Sequence, residues 1–156
     1  MRILITPVVT RARSTALMAA LVTLAGCATQ EGPSFYSVLQ ETSEQNGRAC
    51  IRHSDIRGYG VLDRDVISID GRRHYYLATV LPGCNALGVS PAALFEQRFN
   101  EVCGGGQHRL YTGGDHCTIR QIFEFNSREE AFAAHEQALK AYHQDRERLE
   151  ETAEQN

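Results

Sequence analysis

The chain has 156 residues, an apolar content of 42% and a formal net charge of −3, which together fit one ordinary globular domain. The negative charge argues against a nucleic-acid-binding protein, since that class normally presents a basic patch. Removal of the first 26 residues, argued below, takes away three of the 16 basic residues and none of the 19 acidic ones. The net charge then becomes 13 − 19 = −6.

The N-terminal segment has the pattern of a secretory signal peptide. Arg2, Arg11 and Arg13 make it basic, and Thr15–Ala25 is almost entirely apolar. The apolar run is too short for a membrane-spanning helix, which needs about 20 residues. We therefore predict that residues 1–26 are a cleaved signal peptide.

The residues at the predicted cleavage site are Leu24-Ala25-Gly26-Cys27, and they resemble the lipobox of bacterial lipoprotein precursors. Small residues before the cut fit a narrow peptidase site, and the thiol of Cys27 can form a thioether with a diacylglycerol. Two or more acyl chains hold a protein firmly on a membrane. We predict a lipid anchor, including palmitate, at Cys27. The alternative is an ordinary secretory cleavage site with an incidental cysteine.

The residues after Cys27 bear on location. Ala28 and Thr29 follow it, and no Asp stands at the place where an Asp resembles the inner-membrane retention signal. The outer membrane, facing the periplasm, is therefore the predicted location. Residues 27–47 are polar and are predicted to be the lipidated N-terminus and a flexible tether, with a short helix over 37–45.

Four cysteines follow the tether: Cys50, Cys84, Cys103 and Cys117. An even number of cysteines in an oxidising compartment predicts a disulfide framework, here of two bonds. Sequence alone does not choose among the three possible connectivities. The pairing that we favour is Cys84 with Cys103 and Cys50 with Cys117.

The folded domain is predicted over residues 48–126 and is rich in strand patterns. Asp70-Gly71 is a strong two-residue turn signal and predicts a hairpin of strands 66–70 and 73–80. Tyr75-Tyr76 places one ring in the core and one outside, where the outer ring can contact a ligand. The other predicted strands are 50–56, 61–65, 109–112 and 117–125.

Between and beyond these strands, other local signals appear. Gly58-Tyr59-Gly60 is predicted to be a bend, and Gly104–Gly106 a flexible loop. Ser90 and Pro91 have the order of an N-cap and first helical residue, which predicts a short helix reaching about Phe99.

A long C-terminal helix is predicted over residues 127–152, followed by a frayed tail over 153–156. Ser127 and Glu130 form a capping-box pattern at its start. Apolar and aromatic residues recur at helical spacing and predict a face that packs on the sheet. They are Phe132, His135, Leu139 and Tyr142. A partner-binding or coiled-coil helix is the alternative.

The order of the cysteines and their apolar neighbours resembles an uncharacterised domain-of-unknown-function family of small four-cysteine bacterial envelope proteins. The residues that carry the resemblance are Ala49-Cys50-Ile51, Ile56, Val61-Leu62-Asp63, Leu81-x-x-Cys84-x-x-Leu87, Val102-Cys103, Asp115 and Cys117-x-Ile119-x-x-Ile122-Phe123. It covers residues 48–125 and implies a compact, disulfide-bonded, β-rich periplasmic domain, but it does not imply any particular activity. The chain departs from the family at Gly104-Gly105-Gly106-Gln107, where members carry an acidic residue, and the C-terminal helix is expected to be an addition.

The best constellation for chemistry lies between Cys103 and Cys117. These cysteines, with His108, Asp115 and His116, are metal-ligand types close in sequence. There is no Cys-x-x-Cys pair, and thiols in this compartment tend to oxidise. A disulfide would also remove the thiolate that nucleophilic catalysis requires. We therefore predict no metal, no cofactor and no catalytic residue, with His108, Asp115 and His116 as the weak metal candidates.

These observations predict an α+β fold. It is a small disulfide-stapled, β-dominated domain of five to six short, mostly antiparallel strands, followed by a long C-terminal helix. The predicted function is a lipid-anchored, non-enzymatic envelope module that contacts another envelope protein or the cell wall. The alternative is a small periplasmic enzyme or metal-binding protein that uses the Cys103–Cys117 region. The oligomeric state stays open.

Overall fold

The computed structural model describes residues 32–84, 87, 93–95, 100–112 and 115–155. Within these residues the chain forms two α-helices and eight β-strands. The helices are α1 (Phe35–Thr42) and α2 (Arg128–Glu154). The strands are β1 (Cys50–Arg52), β2 (Ile56–Asp63), β3 (Val66–Gly71), β4 (Tyr75–Val80), β5 (Ala93–Phe95), β6 (Glu101–Cys103), β7 (His108–Thr112) and β8 (Asp115–Phe125). The predicted signal peptide and Cys27 lie outside the described residues.

Six strands form one antiparallel sheet in the order β2-β3-β4-β8-β7-β5. Strands β1 and β6 pair with each other in a separate ribbon. The predicted fold class is therefore confirmed: a β-dominated α+β domain with two disulfides and a long C-terminal helix. The described residues contain more strands than the five to six predicted, because β5 and β6 span three residues each and are too short for a sequence pattern.

The predicted hairpin at Asp70-Gly71 is confirmed as strands β3 and β4, paired with Ile67 opposite Ala78. The backbone N–H of Gly71 donates to the carbonyl oxygen of His74 at 3.1 Å. A Cβ atom on Gly71 would lie 2.6 Å from that oxygen. The turn therefore needs a residue without a side chain at this position.

The sheet has two buried faces, and an irregularity in β8 decides which side chains lie on each. Thr79 pairs with Gln121 and Val80 with Ile119, so Arg120 is an extra residue in the β4–β8 ladder. Such a β-bulge reverses the alternation of side chains beyond it. Ile119 and Ile122 consequently share one core, whereas strict alternation predicted opposite faces for them.

The helical face of the sheet is covered by α1 and α2. Phe35, Val38 and Leu39 lie at helical spacing, and Leu39 is fully buried with Phe123 of the sheet. The predicted short helix is present, at Phe35–Thr42 and not at 37–45, but the prediction that this segment belongs to a flexible tether is wrong. The reason is that its apolar residues gain more by burial on the sheet than they would by staying in a solvated linker.

The start of α2 confirms the capping box. The Ser127 hydroxyl accepts a hydrogen bond from the Glu130 backbone N–H at 3.1 Å, and the Glu130 carboxylate accepts one from the Asn126 backbone N–H at 3.0 Å. The helix continues to Glu154, two residues past the predicted end. Its buried residues are Ala131, Ala138 and His135. The two alanines join the core that contains Leu77 and Phe123 of the sheet, and His135 packs against Phe35 of α1. No helix in the described part of the chain is both long enough and apolar enough to cross a membrane.

Two local predictions need correction. Gly58-Tyr59-Gly60 is not a bend, because all three residues belong to the continuous edge strand β2. Ala93–Phe95, predicted as part of a helix, forms strand β5, which pairs with β7. Pairing with an existing sheet edge supplies backbone hydrogen bonds that a three-residue helical segment cannot make. The rest of the predicted helix lies outside the described residues.

His135 makes the stability of the domain depend on pH. Its side chain is buried against the ring of Phe35, with the ring centroids 5.5 Å apart. Burial lowers the pKa of His135 below 6.5, and the charges of Asp63 and Glu136 oppose this only in part. The unfolded chain therefore binds a proton more readily, so the free energy of unfolding falls as the pH drops below 6.5. Denaturant unfolding between pH 7.5 and 5 should show this fall, and His135→Leu should reduce it. An identical pH slope in that variant would contradict the assignment.

Candidate functional site

The four cysteines of the domain form two disulfides, as predicted, but the favoured pairing is wrong. The structure joins Cys50 to Cys103 and Cys84 to Cys117. Cys50 lies directly opposite Cys103 in the β1–β6 ribbon, and their Cα atoms are 4.0 Å apart. This ribbon joins segments 53 residues apart, and no local sequence pattern indicates that pairing.

The weak metal candidates do not converge. His108 lies opposite Ile119 at one end of the β7–β8 hairpin, whereas Asp115 and His116 lie at the other end, with Asp115 opposite Thr112. Four residues of strand separate the two ends, about 13 Å at the usual rise per residue. Nδ1 of His116 lies 3.8 Å from the Asp115 carboxylate, and both side chains are half exposed. The candidate side chains between Cys103 and Cys117 therefore do not come together at one point, as a metal site or an active site in this region would require.

Another small group of potential ligand atoms lies at the first disulfide. The two sulfur atoms of Cys50 and Cys103 and a carboxylate oxygen of Glu101 lie within 4.8 Å of one another. Because the two sulfur atoms are bonded to each other, neither is a thiolate that could ligate a metal or attack a substrate. This group is therefore a disulfide with an acidic neighbour.

A charged cleft of about 270 Å³ runs beside this disulfide, along the β3–β4 turn. One of its ion-pair groups is Asp55, whose carboxylate lies 3.8 Å from Arg52 and 3.7 Å from Arg72. A second is Glu124, whose carboxylate lies 3.6 Å from Nδ1 of His74. These pairs tie the β3–β4 turn to β8 and to the residues after β1.

Tyr76 completes the second of these pairs. Its buried ring places the hydroxyl in contact with Glu124, to which it donates a hydrogen bond. Burial first, and this hydrogen bond second, raise the pKa of Tyr76 to about 12. The hydroxyl therefore stays protonated at neutral pH and does not act as a base. The interactions of Asp55 with two arginines, and of Glu124 with His74 and Tyr76, hold the β3–β4 turn against its neighbours, so these groups serve the fold.

A larger space opens on the helical face of the sheet, and we call it the glycine-floored trough. Its volume is about 650 Å³. The floor is formed by cross-strand pairs on β2 and β3, Gly58 with Asp70 and Gly60 with Ser68. Because three of these four residues have no side chain or a very small one, the sheet is left uncovered where α2 does not reach it.

The wall of the trough is aromatic. Tyr75, which is half buried, lies on β4 directly opposite Asp70 of β3, and its ring lies 6.0 Å from the ring of Phe132 on α2. Tyr76, its neighbour, is buried on the opposite face, so the two rings alternate as predicted. The outer ring, that of Tyr75, is nevertheless not outside the fold, because it packs partly buried against the core beneath α2. The outer ring lies where a ligand in the trough would meet it.

Arginines surround this wall. Arg72 and Arg73 come from the β3–β4 turn, and Arg128 comes from the first turn of α2. Arg128 lies over the ring of Phe132, 5.1 Å from its centroid. Arg72 is engaged with Asp55, whereas the structure describes no carboxylate partner for Arg73 or Arg128. The trough thus presents the guanidinium group of Arg128 beside two aromatic rings, whereas Arg73 lines both the trough and the charged cleft.

Among the residues of the trough, only the pair Tyr75-Tyr76 was predicted from the sequence to offer a ligand contact. Gly58 and Gly60 indicated a bend, and the arginines carried no motif. Alternate glycines on a strand were the available signal, because residues two apart in a strand lie on the same face and two glycines there leave a gap.

Residues 10–146 match the model of DUF6491, a family of unknown function. The chain belongs to this family. The match extends through most of α2, so the expectation that the C-terminal helix is an addition to the family domain is wrong. No curated protein matches the chain. No solved structure matches it either.

Proposed function

We propose that this DUF6491 protein is a lipid-anchored envelope protein that begins, after processing, at Cys27. In this proposal it carries palmitate there, lies on the outer membrane facing the periplasm and serves as a non-enzymatic interaction module. Its partner is another envelope component, and the anchor concentrates the domain at the membrane surface.

The distribution of cysteines carries the proposal. The chain has five cysteines, and the two disulfides use four of them. The fifth is Cys27, which ends the lipobox-like sequence Leu24-Ala25-Gly26-Cys27 after an apolar run. Disulfides persist in oxidising compartments such as the periplasm, which a secretory signal would reach. Two independent features of the chain thus favour the same compartment.

The chemistry of the described residues favours binding over catalysis. The four sulfur atoms are held in disulfides, Tyr76 stays protonated, and Asp55 of the charged cleft is paired with two arginines. The glycine-floored trough, in contrast, combines open space, aromatic rings and guanidinium groups, which are features of recognition surfaces. Nucleic acid is not the proposed partner, since the net charge after Cys27 is −6.

Metabolic labelling with a palmitate analogue tests the anchor. We expect the wild-type chain to be labelled and Cys27→Ala to lose the label completely, because the thioether requires the Cys27 thiol. Cys50→Ala is the matched control, since it also removes one cysteine but should keep the label. Equal labelling of the wild type and Cys27→Ala would refute the anchor.

Separation of the inner and outer membranes on a density gradient tests the proposed outer-membrane location. The labelled protein should be recovered with the outer membrane. Recovery in the inner-membrane fraction would overturn the proposed location while leaving the anchor intact.

A further inference from the structure

We propose that the glycine-floored trough binds a cell-wall glycopeptide, a chain of amino sugars that carries short peptides with free carboxylates. The inference rests on the proposed function, because it names the partner of the anchored domain. It is argued from three properties of the trough, which are its space, its charges and its aromatic wall.

The space is built into the sheet. A Cβ atom on Gly58 would meet no atom within 4 Å, whereas one on Gly60 would lie 3.1 Å from the Ser68 hydroxyl oxygen. The open part of the floor is therefore at Gly58, opposite Asp70. At about 650 Å³ the trough falls within the range of about 300–1,000 Å³ that small-ligand sites occupy. A disaccharide or short peptide segment fits this size.

The charges select the kind of ligand. Arg73 and Arg128 have no carboxylate partner in the described residues, and the planar guanidinium group matches a carboxylate in two parallel hydrogen bonds. Asp70 lies on the same floor and can accept hydrogen bonds from hydroxyl or ammonium groups. A ligand that carries both carboxylates and such donors can bind the arginines and Asp70 at the same time.

The aromatic wall supplies the remaining contact. The rings of Tyr75 and Phe132 are tilted by 47° and line the trough side by side. Aromatic rings pack well against an apolar surface next to polar groups, such as the face of a sugar ring or the methyl group of an alanine. Because Arg128 lies over Phe132, a carboxylate bound by Arg128 would stand directly beside that apolar surface. The amino-sugar and peptide parts of a cell-wall fragment have this arrangement.

Co-sedimentation of the full-length lipidated protein in detergent with purified cell-wall sacculi tests the inference. We expect the wild type to sediment, and Arg73→Gln and Arg128→Gln each to bind about tenfold more weakly or worse, because each loses a charge-assisted contact. Gly58→Leu should abolish binding by filling the floor without a change of charge. Arg57→Gln is the matched control, since Arg57 is an exposed arginine of the same strand that does not line the trough.

Thermal unfolding of each variant shows whether the fold is kept, and the arginine variants carry the test if Gly58→Leu does not fold. Equal sedimentation of the wild type and all trough variants would overturn the inference. So would binding of the wild type to vesicles of phosphatidylglycerol, lost in Arg73→Gln, without binding to sacculi, since the trough would then be a lipid site. Palmitate labelling is unaffected by any of these outcomes, so failure here is distinguishable from failure of the anchor.

Discussion

Gly104→Ala is expected to lower the free energy of unfolding by at least about 3 kcal/mol, an overpacking effect at the upper end of the usual range. A Cβ atom at this position would overlap the carbonyl oxygen of Gly47 and lie 2.6 Å from the backbone nitrogen of Ile122. Both contacts are to backbone, which cannot move aside as a flexible side chain can. Denaturant unfolding of the purified variant measures the loss.

The expected loss follows from what meets at Gly104. The Ile122 N–H donates to the Gly47 carbonyl at 2.9 Å, and the Gly104 N–H donates to the Ala49 carbonyl at 3.0 Å. Three chain segments therefore converge in consecutive hydrogen bonds, and a methyl group would separate them. Gly58→Ala is the control, because its Cβ atom meets open space. Equal stability of the two alanine variants would show that the convergence tolerates a side chain.

The same glycine shows what local sequence patterns miss. Gly104–Gly106 indicated a flexible loop, and a run of glycines has that meaning whenever no other segment approaches it. In the structure, Gly104 is a site of close backbone approach, whereas Cβ atoms on Gly105 and Gly106 would meet nothing within 4 Å. The backbone atoms that exclude a side chain at Gly104 belong to Gly47, 57 residues before it, and to Ile122, 18 residues after it.

Local signals predicted the elements that local interactions build. The Asp70-Gly71 signal marks the hairpin, although both residues end β3 and the turn itself is made by Arg72 and Arg73. Ser127 with Glu130 caps a helix through a hydrogen bond between residues three apart. Both predictions are confirmed. The β1–β6 ribbon, in contrast, depends on contacts between Cys50 and Cys103 that are distant in sequence. For that reason the presence of two disulfides could be predicted and their partners could not.

The candidate site was hidden for a related reason. The trough exists because α2 covers only part of the helical face and because Gly58 and Gly60 leave the neighbouring strand bare. Its cations come from the β3–β4 turn and from the start of α2, which only the folded chain brings together. Sequence reasoning singled out only the pair Tyr75-Tyr76, since alternation along a strand is itself a local property, and it did not decide which ring faces the trough.

The double variant Cys84→Ala/Cys117→Ala is expected to lose about 5 kcal/mol of unfolding free energy. The cross-link closes a loop of 33 residues, which contributes about 4 kcal/mol through the unfolded state. Both cysteines are also buried in the core that lies between the sheet and the β1–β6 ribbon. Replacing them with alanine removes packed sulfur atoms and adds roughly 1 kcal/mol for the space left behind. Urea unfolding of the wild type and the variant measures the total.

Cys50→Ala/Cys103→Ala is the matched control, because its loop of 53 residues gives a similar entropic contribution of about 4 kcal/mol. Cys50 is exposed and Cys103 only partly buried, so this variant loses little packing and should be the more stable of the two.

The same difference in burial predicts the order in which the two disulfides of the native protein are reduced. With increasing dithiothreitol, alkylation and mass spectrometry should detect free Cys50 and Cys103 before free Cys84 and Cys117, since a thiolate must reach a sulfur atom to attack it. Simultaneous reduction of the two bonds, together with equal stability of the two double variants, would show that burial does not distinguish them.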